Sequence, residues 1–518
     1  MRAVQLVVLF VFVLLSVKSY SQYQVTSSVG ERGDYNSILN QFEIEDMRKG
    51  MLSVWKHGLN PRLYWNDKME TAFKSGDSER SQRPVVNQSF LRLLKDLYLG
   101  GVDPQSVSRD VKLIQKDFFT PKQLQVMALA AASAETFLNK VAPQNAPYVA
   151  VKEAMQKLYP HCANGDWQEI VPATMPLRLY SKNPVITDIK RRLVLLGYKI
   201  TNMDESFDGD LQNAVTDIQW GMRIAPDGVI SPKGKIWNFL SVSCLDRVRQ
   251  LQVDMEKMRW FPQYFDTRYM FVNLAMSYFI LMDLSNPDWD RVMSFRTVNG
   301  RPARKSPTMQ DTVVKVIINP YWVVPPTIFY EDKVADLRNL TKPQIAEYFN
   351  SHHYEAWLGD FKKKVDPTTI DWSSISRGQG GIDITIRQLP HLGNALGVLK
   401  FDLTNTFSIY MHDTNQRELF NEPMRQLSSG CMRLEKPLDL AEYLLEDTPW
   451  DRKTIESMMA RPGEIIAKPT EIPVPKYKQI PVYTVYLTSM MSSDGVVRFV
   501  DDIYGQNAAI RGRLRGLF

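Results

Sequence analysis

The chain has 518 residues, 44% of them hydrophobic and 23% charged, with a formal net charge of +6. That balance excludes a disordered or low-complexity chain, and the length exceeds what one core fills, so about two to four domains are expected. No basic run or aromatic-interleaved patch accompanies the small positive excess, which argues against nucleic acid as a partner.

At the amino terminus Arg2 precedes an apolar run from Leu6 to Leu15, and Ser19-Tyr20-Ser21 offers small residues at the spacing a signal peptidase prefers. The run falls short of the about 20 residues that span a bilayer. Residues 1–21 therefore read as an export signal cleaved near Ser21, with an uncleaved anchor as the alternative and no later membrane span. Loss of Arg2 and Lys18 leaves a charge of +4, suited to an anionic polymer or surface. In an oxidising compartment the three cysteines, Cys162, Cys244 and Cys431, leave at least one thiol unpaired within the chain. If two pair, Cys162 with Cys244 is the choice, because they flank one expected domain.

Residues 22–183 read as a helical scaffold. Phe90, Leu91, Leu93, Leu94, Leu97 and Tyr98 make an apolar stripe stopped by Gly100-Gly101. Thr120-Pro121 reads as a cap opening one Ala-rich helix to about Val141. Residues 184–241 form a smaller unit: Ile189, Leu193 and Leu196 precede Gly197-Tyr198, and Leu211, Ala214, Val215 and Ile218 repeat the helical spacing. Two Asp-Gly turns, at Asp208-Gly209 and Asp227-Gly228, divide it into three short helices. Residues 242–262 then read as a charged amphipathic linker helix.

From residue 263 to the end the text is rich in strands, at Tyr269 to Asp283, Arg291 to Val298, Val313 to Ile318 and Gly397 to Leu403. A charged helical interval at 327–385 interrupts them and reads as a cap over a cleft. Its His352-His353 pair lacks companions at ligand spacing and is taken as a solvated helix end, so no metal or cofactor is expected.

The chemistry concentrates between Ile409 and Arg433. Phe407, Ile409 and Met411 alternate with Ser408, Tyr410 and His412, which predicts a strand with Tyr410 and His412 on its non-core face. Cys431 follows Ser428-Ser429-Gly430 and precedes Arg433. A thiol needs a base or a nearby cation to act as a nucleophile, His412 is the candidate base, and Gly430 allows a tight turn whose N–H groups face an oxyanion. A buried structural cysteine beside an unrelated histidine is the competing interpretation. Tyr483 to Thr488, Val496 to Val500 and Asp501 to Gly505 are expected to finish the sheet.

Several of these motifs stand in one order: MRWFP ending at Pro262, NPYWVVPPTI at 319–328, NALG at 394–397, IYMHDT at 409–414, SSGCMR at 428–433 and DDIYG at 501–505. Together they resemble the large multi-domain murein L,D-transpeptidases with a YkuD-like catalytic domain. The unit at 184–241, through Leu195-Leu196-Gly197-Tyr198 and Asp227 to Pro232, resembles a peptidoglycan-binding type 1 domain. The resemblance implies a multi-domain α+β protein: a helical scaffold with an inserted three-helix module, then a β-rich catalytic domain with a helical capping insertion. It implies a bacterial envelope location and peptidoglycan stems as acyl donor and acceptor. Cys431 would be acylated with release of D-Ala, His412 would shuttle the proton, and a 3-3 cross-link would result. Gly430, Ser429, Ser428, Arg433 and Tyr410 would bind substrate or oxyanion. Two departures stand out, Ser429 where much of the family has a His and His391-Leu392 in place of a Gly-containing pair. Hydrolysis, attachment of a protein to the wall, and a non-catalytic wall-binding scaffold are the alternatives.

Overall fold

The computed structural model describes residues 34–285, 293–359, 361–377, 383–514, 516 and 517. The export signal expected at residues 1–21 lies outside them. Among the described residues no helix is long and apolar enough to cross a membrane. The described residues divide into two compact units, one containing those of 34–265 and from 486 onward, the other those within Asp266–Val485.

The first unit is helical. Helices α1 (Tyr35–Leu39), α2 (Ile44–Leu52), α3 (Asp67–Lys74) and α4 (Glu79–Leu99) come first, and α4 buries Phe90, Leu93, Leu94 and Leu97. It stops at Gly100, where φ is +87° and a side chain would strike the Glu256 carboxylate. The single helix expected after Thr120 is two, α5 (Pro121–Leu129) and α6 (Ala134–Val141). A Thr120/Gln123 capping box opens α5. Ser133 caps α6 through the Thr136 N–H, and the Ala134 N–H donates to Asp46, so side chains satisfy the interruption.

Helix α7 (Ala146–Ala163) packs on the later helix of residues 244–259, and Cys162 is bonded to Cys244 with their Cα atoms 5.5 Å apart. Between these cysteines lie α8 (Val185–Leu196), α9 (Gly209–Gly221) and α10 (Lys235–Ser241). Both Asp-Gly turns are pinned by side chains. Asp208 caps α9 and receives the buried Lys190 Nζ at 2.6 Å; Asp227 accepts from Gln219 at 2.6 Å and from the Val229 N–H.

Helix α11 (Cys244–Arg259) corrects the amphipathic expectation, since residues 251–259 are all buried. Its charges are answered inside the unit. Asp254 receives the Thr488 N–H and Ser489 Oγ, Lys257 donates to Asp254 and the Tyr486 carbonyl, and Glu256 receives the Val102 N–H and pairs with Arg259. These bonds also explain a second correction. The closing hairpin, Ser489–Met491 with Val497–Phe499, and the helix Gln506–Arg511 do not finish the large sheet but belong to the helical unit.

The second unit is built on strands β1 (Arg268–Asn273), β2 (Tyr278–Asp283), β3 (Met293–Gly300) and β4 (Met309–Ile318). Tyr269 to Asp283 is thus a hairpin, and Asn299-Gly300 ends β3 as paired strand. The cap contains β5 (Trp322–Val323), the helix Lys342–Ser351, and then β6 (Tyr354–Leu358), β7 (Lys363–Val365) and β8 (Ile384–Gln388). Helical text covers only its first half; the rest forms a sheet in the order β5-β8-β6-β7. A core of its own, including Leu337, Phe349, Trp372 and Ile386, holds the cap together. His352 closes the helix and is exposed.

The chain returns through β9 (Leu399–Leu403), β10 (Met411–His412), β11 (Gln426–Ser428) and β12 (Met432–Leu434), then β13 (Thr470–Pro473) and β14 (Pro481–Val485). The path runs β3-β12-β10-β9-β4-β14-β1-β2, and β2 pairs with β3, so it closes on itself. Strands β3 and β4 change partners midway along their length, which lets one long strand serve two sheet faces.

His57, in the helical unit, is buried with Nδ1 2.9 Å from the Tyr148 hydroxyl and Nε2 3.1 Å from Asn139 Oδ1. Burial, with Lys152 and Arg259 nearby, holds its pKa well below the ordinary value. The unfolded chain binds a proton there below about pH 6.5 while the folded chain does not. Stability contributed by neutral His57 is therefore complete above that pH and declines as pH falls, by at most about 1.4 kcal/mol per pH unit. Calorimetric melting between about pH 7 and about pH 5 should show this slope for the helical unit, reduced by one proton in His57→Gln.

Candidate active site

The site is assembled by two short strands that neighbour each other in parallel. Strand β10 pairs with β12 so that Met411 faces Met432 and His412 faces Arg433. Residues side by side in a parallel pair point to the same face, and alternation places Tyr410 and Cys431 one step earlier on that face. Strand β9 flanks β10 on the other side with Lys400 opposite His412. One face thus gathers Tyr410, His412, Cys431, Arg433 and Lys400, while Met411, Met432 and Phe401 fill the core behind it.

The strand predicted from residue 407 is shorter than expected. Ser408 has φ +58°, which no strand residue adopts, and regular pairing begins at Met411. His412 is also buried at 4% exposure, so the non-core face is roofed and does not open to solvent at the imidazole. Its Nδ1 lies 2.5 Å from the Asp413 carbonyl. That contact makes Nδ1 the protonated nitrogen and leaves Nε2 as the basic one. The orienting group is therefore a backbone carbonyl. Asp413 is held in turn: its carboxylate receives the Val398 N–H at 3.0 Å and Arg417 at 2.6 Å, and its own N–H donates to the Leu399 carbonyl. Gly397 sits at φ +63°, and a Cβ there would run into the Asp413 carboxylate.

Cys431 is the free cysteine among the described residues and is half-buried, its Sγ 3.7 Å from the Ser408 carbonyl. The preceding loop is fixed by hydrogen bonds. Ser428 Oγ donates to the Cys431 carbonyl at 2.6 Å and receives the Gly430 N–H at 3.3 Å, and Ser306 Oγ donates to the Gly430 carbonyl at 2.7 Å. Gly430 has φ +122°, which a residue with a Cβ resists, although ordinary contact distance remains around it. With its N–H engaged, Gly430 contributes conformation. The Cys431 N–H has no partner among the described residues and is the donor open to an oxyanion.

Ser429 is exposed and receives Arg304 Nη1 at 3.1 Å, and Arg304 is also paired with Glu331 and Asp332 at the base of the cap. This link between nucleophile loop and cap was missed in the sequence, where Arg304 lies in a turn-rich stretch without a motif. Arg433 donates to Gln416 Oε1 at 2.7 Å and to Thr414 Oγ1 at 3.4 Å, while its Nε is buried without a hydrogen-bond partner. It thereby braces the segment that follows His412.

The electrostatics favour a neutral pair. Burial pushes the Cys431 thiol up to about 11, against the opposing pull of Tyr410, Lys400 and Arg433. Burial, then Arg433, pushes His412 down to about 3, against the Asp413 carbonyl. A thiol and a neutral imidazole, not a thiolate and an imidazolium, are the resting forms near neutrality. Tyr410 is raised well above its ordinary value, by burial first and then by Cys431, whose thiol is within hydrogen-bonding reach.

Residues 267–453 match the family model of the YkuD L,D-transpeptidase catalytic domain, and residues 39–155 match that of a Scaffold domain. A Haemophilus influenzae protein provisionally named an L,D-transpeptidase is 29% identical over 265 residues, 51% of this chain. The chain spans about half of that curated relative, 49% of its length. Among solved structures, an L,D-transpeptidase from Xylanimonas cellulosilytica covers 61% of this chain and 100% of its own at 12% identity and a TM-score of 0.18. A fused zinc-dependent amidase/peptidase/peptidoglycan-binding domain protein from Clostridium acetobutylicum covers 28% of this chain and 70% of its own, at 19% identity and a TM-score of 0.13. The YkuD match encloses every residue on the face described above. Residues 267–453 are thus similar to the YkuD L,D-transpeptidase catalytic domain, and residues 39–155, ahead of them, to a Scaffold domain.

Proposed function

We propose that this protein forms 3-3 cross-links in peptidoglycan by a cysteinyl acyl-enzyme route. The observation that carries the reading is the single face shared by Cys431 and His412, with a basic Nε2 and an open Cys431 N–H. Cys431 Sγ attacks the carbonyl between diaminopimelate and terminal D-Ala, and His412 Nε2 takes the thiol proton as the C–S bond forms. Collapse of the tetrahedral intermediate breaks the C–N bond, and the imidazolium returns that proton to the departing D-Ala amine. The side-chain amine of a second stem then attacks the thioester, loses its proton to His412, and the proton passes back to Sγ. Cys431 N–H stabilises the oxyanion in both halves. Ser428 and Gly430 hold the loop, Arg433 braces the base, and Tyr410 and Ser429 border the substrate.

Activity on the wall places the protein in the bacterial envelope after export, and residues 184–241 are its peptidoglycan-holding module. The paired Cys162 and Cys244 accord with an oxidising compartment.

Incubation with disaccharide tetrapeptides should give dimers and free D-Ala by mass spectrometry, both absent in Cys431→Ala. Trimming to tripeptide without dimer would replace transfer by hydrolysis. His412→Gln should lower acylation by about a hundred- to ten-thousandfold. Because both groups rest neutral, alkylation of Cys431 by iodoacetamide should climb about tenfold per pH unit from about pH 6 to about pH 9; a plateau across this range would reveal a thiolate–imidazolium pair instead. The Cys431→Ala chain should be retained by purified sacculi, and equal retention after removal of 184–241 would deny that module a binding role.

A further inference from the structure

Lys400 is a residue for which the reaction above has no use. It lies on β9 opposite His412, half-buried, with Nζ 2.6 Å from Asp402 Oδ1 and 4.4 Å from the centre of the Tyr410 ring. A lysine on a strand beside a catalytic face ordinarily extends into water, where its charge is best solvated. This one is folded over an aromatic ring and tied at its tip. The ring beneath it carries the hydroxyl that reaches Cys431, and the indole of Trp322, on β5, is also within hydrogen-bonding reach of that hydroxyl. Tyr410 is thus clamped from two sides, by a cation on its face and a donor at its oxygen.

We propose that Lys400 is a positioning residue for the nucleophile: anchored on Asp402, its ammonium stands on the Tyr410 ring and keeps the Tyr410 hydroxyl directed at Cys431 Sγ. The proposal rests on Cys431 being the nucleophile. The attraction of an ammonium for a ring face is strengthened by partial desolvation, and Asp402 fixes where the ammonium sits. The hydroxyl donates to sulfur and favours the thiolate as it forms. The other titratable and charged groups around the thiol are the neutral His412 on β10, Arg433 on β12 with Glu418 near it, and Arg304 at Ser429; on β4, Lys315 is occupied by Glu471. His412 meets the Tyr410 ring edge-on with centroids 5.7 Å apart, and none of the others contacts that ring among the described cation–ring pairs. Both Lys400 and Arg433 also favour the ionised thiol directly by their charge, so the share that Lys400 contributes through Tyr410 is the part of its effect that disappears when the Tyr410 hydroxyl is removed.

The test is the rate of Cys431 alkylation by iodoacetamide in the full chain, read without peptidoglycan so that it stands apart from the outcome of the cross-linking assay. Lys400→Met should slow alkylation about tenfold at a fixed alkaline pH, corresponding to about one unit of thiol pKa, and displace the profile to higher pH. In a Tyr410→Phe background the same substitution should have a clearly smaller effect, because only the direct charge of Lys400 on the thiol is left to lose. An unchanged rate in Lys400→Met would overturn the proposal, as would an undiminished effect in the Tyr410→Phe background. Should Lys400→Met not fold, Asp402→Asn, which frees the ammonium from its anchor, should slow alkylation in the same direction, and an unaltered rate there would count equally against it.

Discussion

The parallel pairing of β10 with β12 is the constraint on which the catalytic face depends. Each strand is only two or three residues long, and neither supplies a site alone. Paired in register, they put the candidate base and the candidate nucleophile on one side of the sheet and three core side chains on the other. A slip of one residue would send Cys431 and Arg433 into the core and Met432 into the cleft. The register is guarded on all sides. Strand β9 fixes β10, β3 fixes β12, and Ser428 with Ser306 fixes the loop that turns into Cys431.

Burial and charge oppose each other at this face. Desolvation favours the neutral thiol and the neutral imidazole, while Lys400 and Arg433 favour the thiolate without contributing a proton. The face is therefore poised for proton transfer that accompanies attack, rather than for a standing ion pair. A roofed site of this kind strengthens each remaining electrostatic interaction. The short contact between His412 and the Asp413 carbonyl fixes the tautomer without adding a negative charge beside the sulfur. A carboxylate in that position would instead raise the imidazole pKa.

Periodicity made much of the helical unit legible, because an apolar stripe has the same meaning wherever it is buried. The stripe from Phe90 to Leu97 and the spacing in 185–218 each became helix. It misled at α11, where charged text accompanies complete burial. A charge is tolerated inside only beside a partner, and the partners of Asp254 and Lys257 come from residues 486–489, far along the chain. The same dependence hid the true place of the carboxy-terminal hairpin. In the cap, helical spacing covered one half, and the short strands after it are too brief for alternation to be distinguished from loop.

The sequence by itself determined the chemistry available: three cysteines of which at least one stays unpaired, a histidine and an arginine near Cys431, a glycine directly before it, and motifs in a family order. Tertiary structure decided how these groups meet. It selected a carbonyl to orient His412, directed the Gly430 N–H to Ser428, joined Arg304 to both the cap and Ser429, and set Lys400 over Tyr410. Residue type and spacing are local properties that a chain carries before it folds. Which face is roofed, and which cation stands beside which ring, depend on strands distant in sequence coming into register, and on what burial then does to their charges.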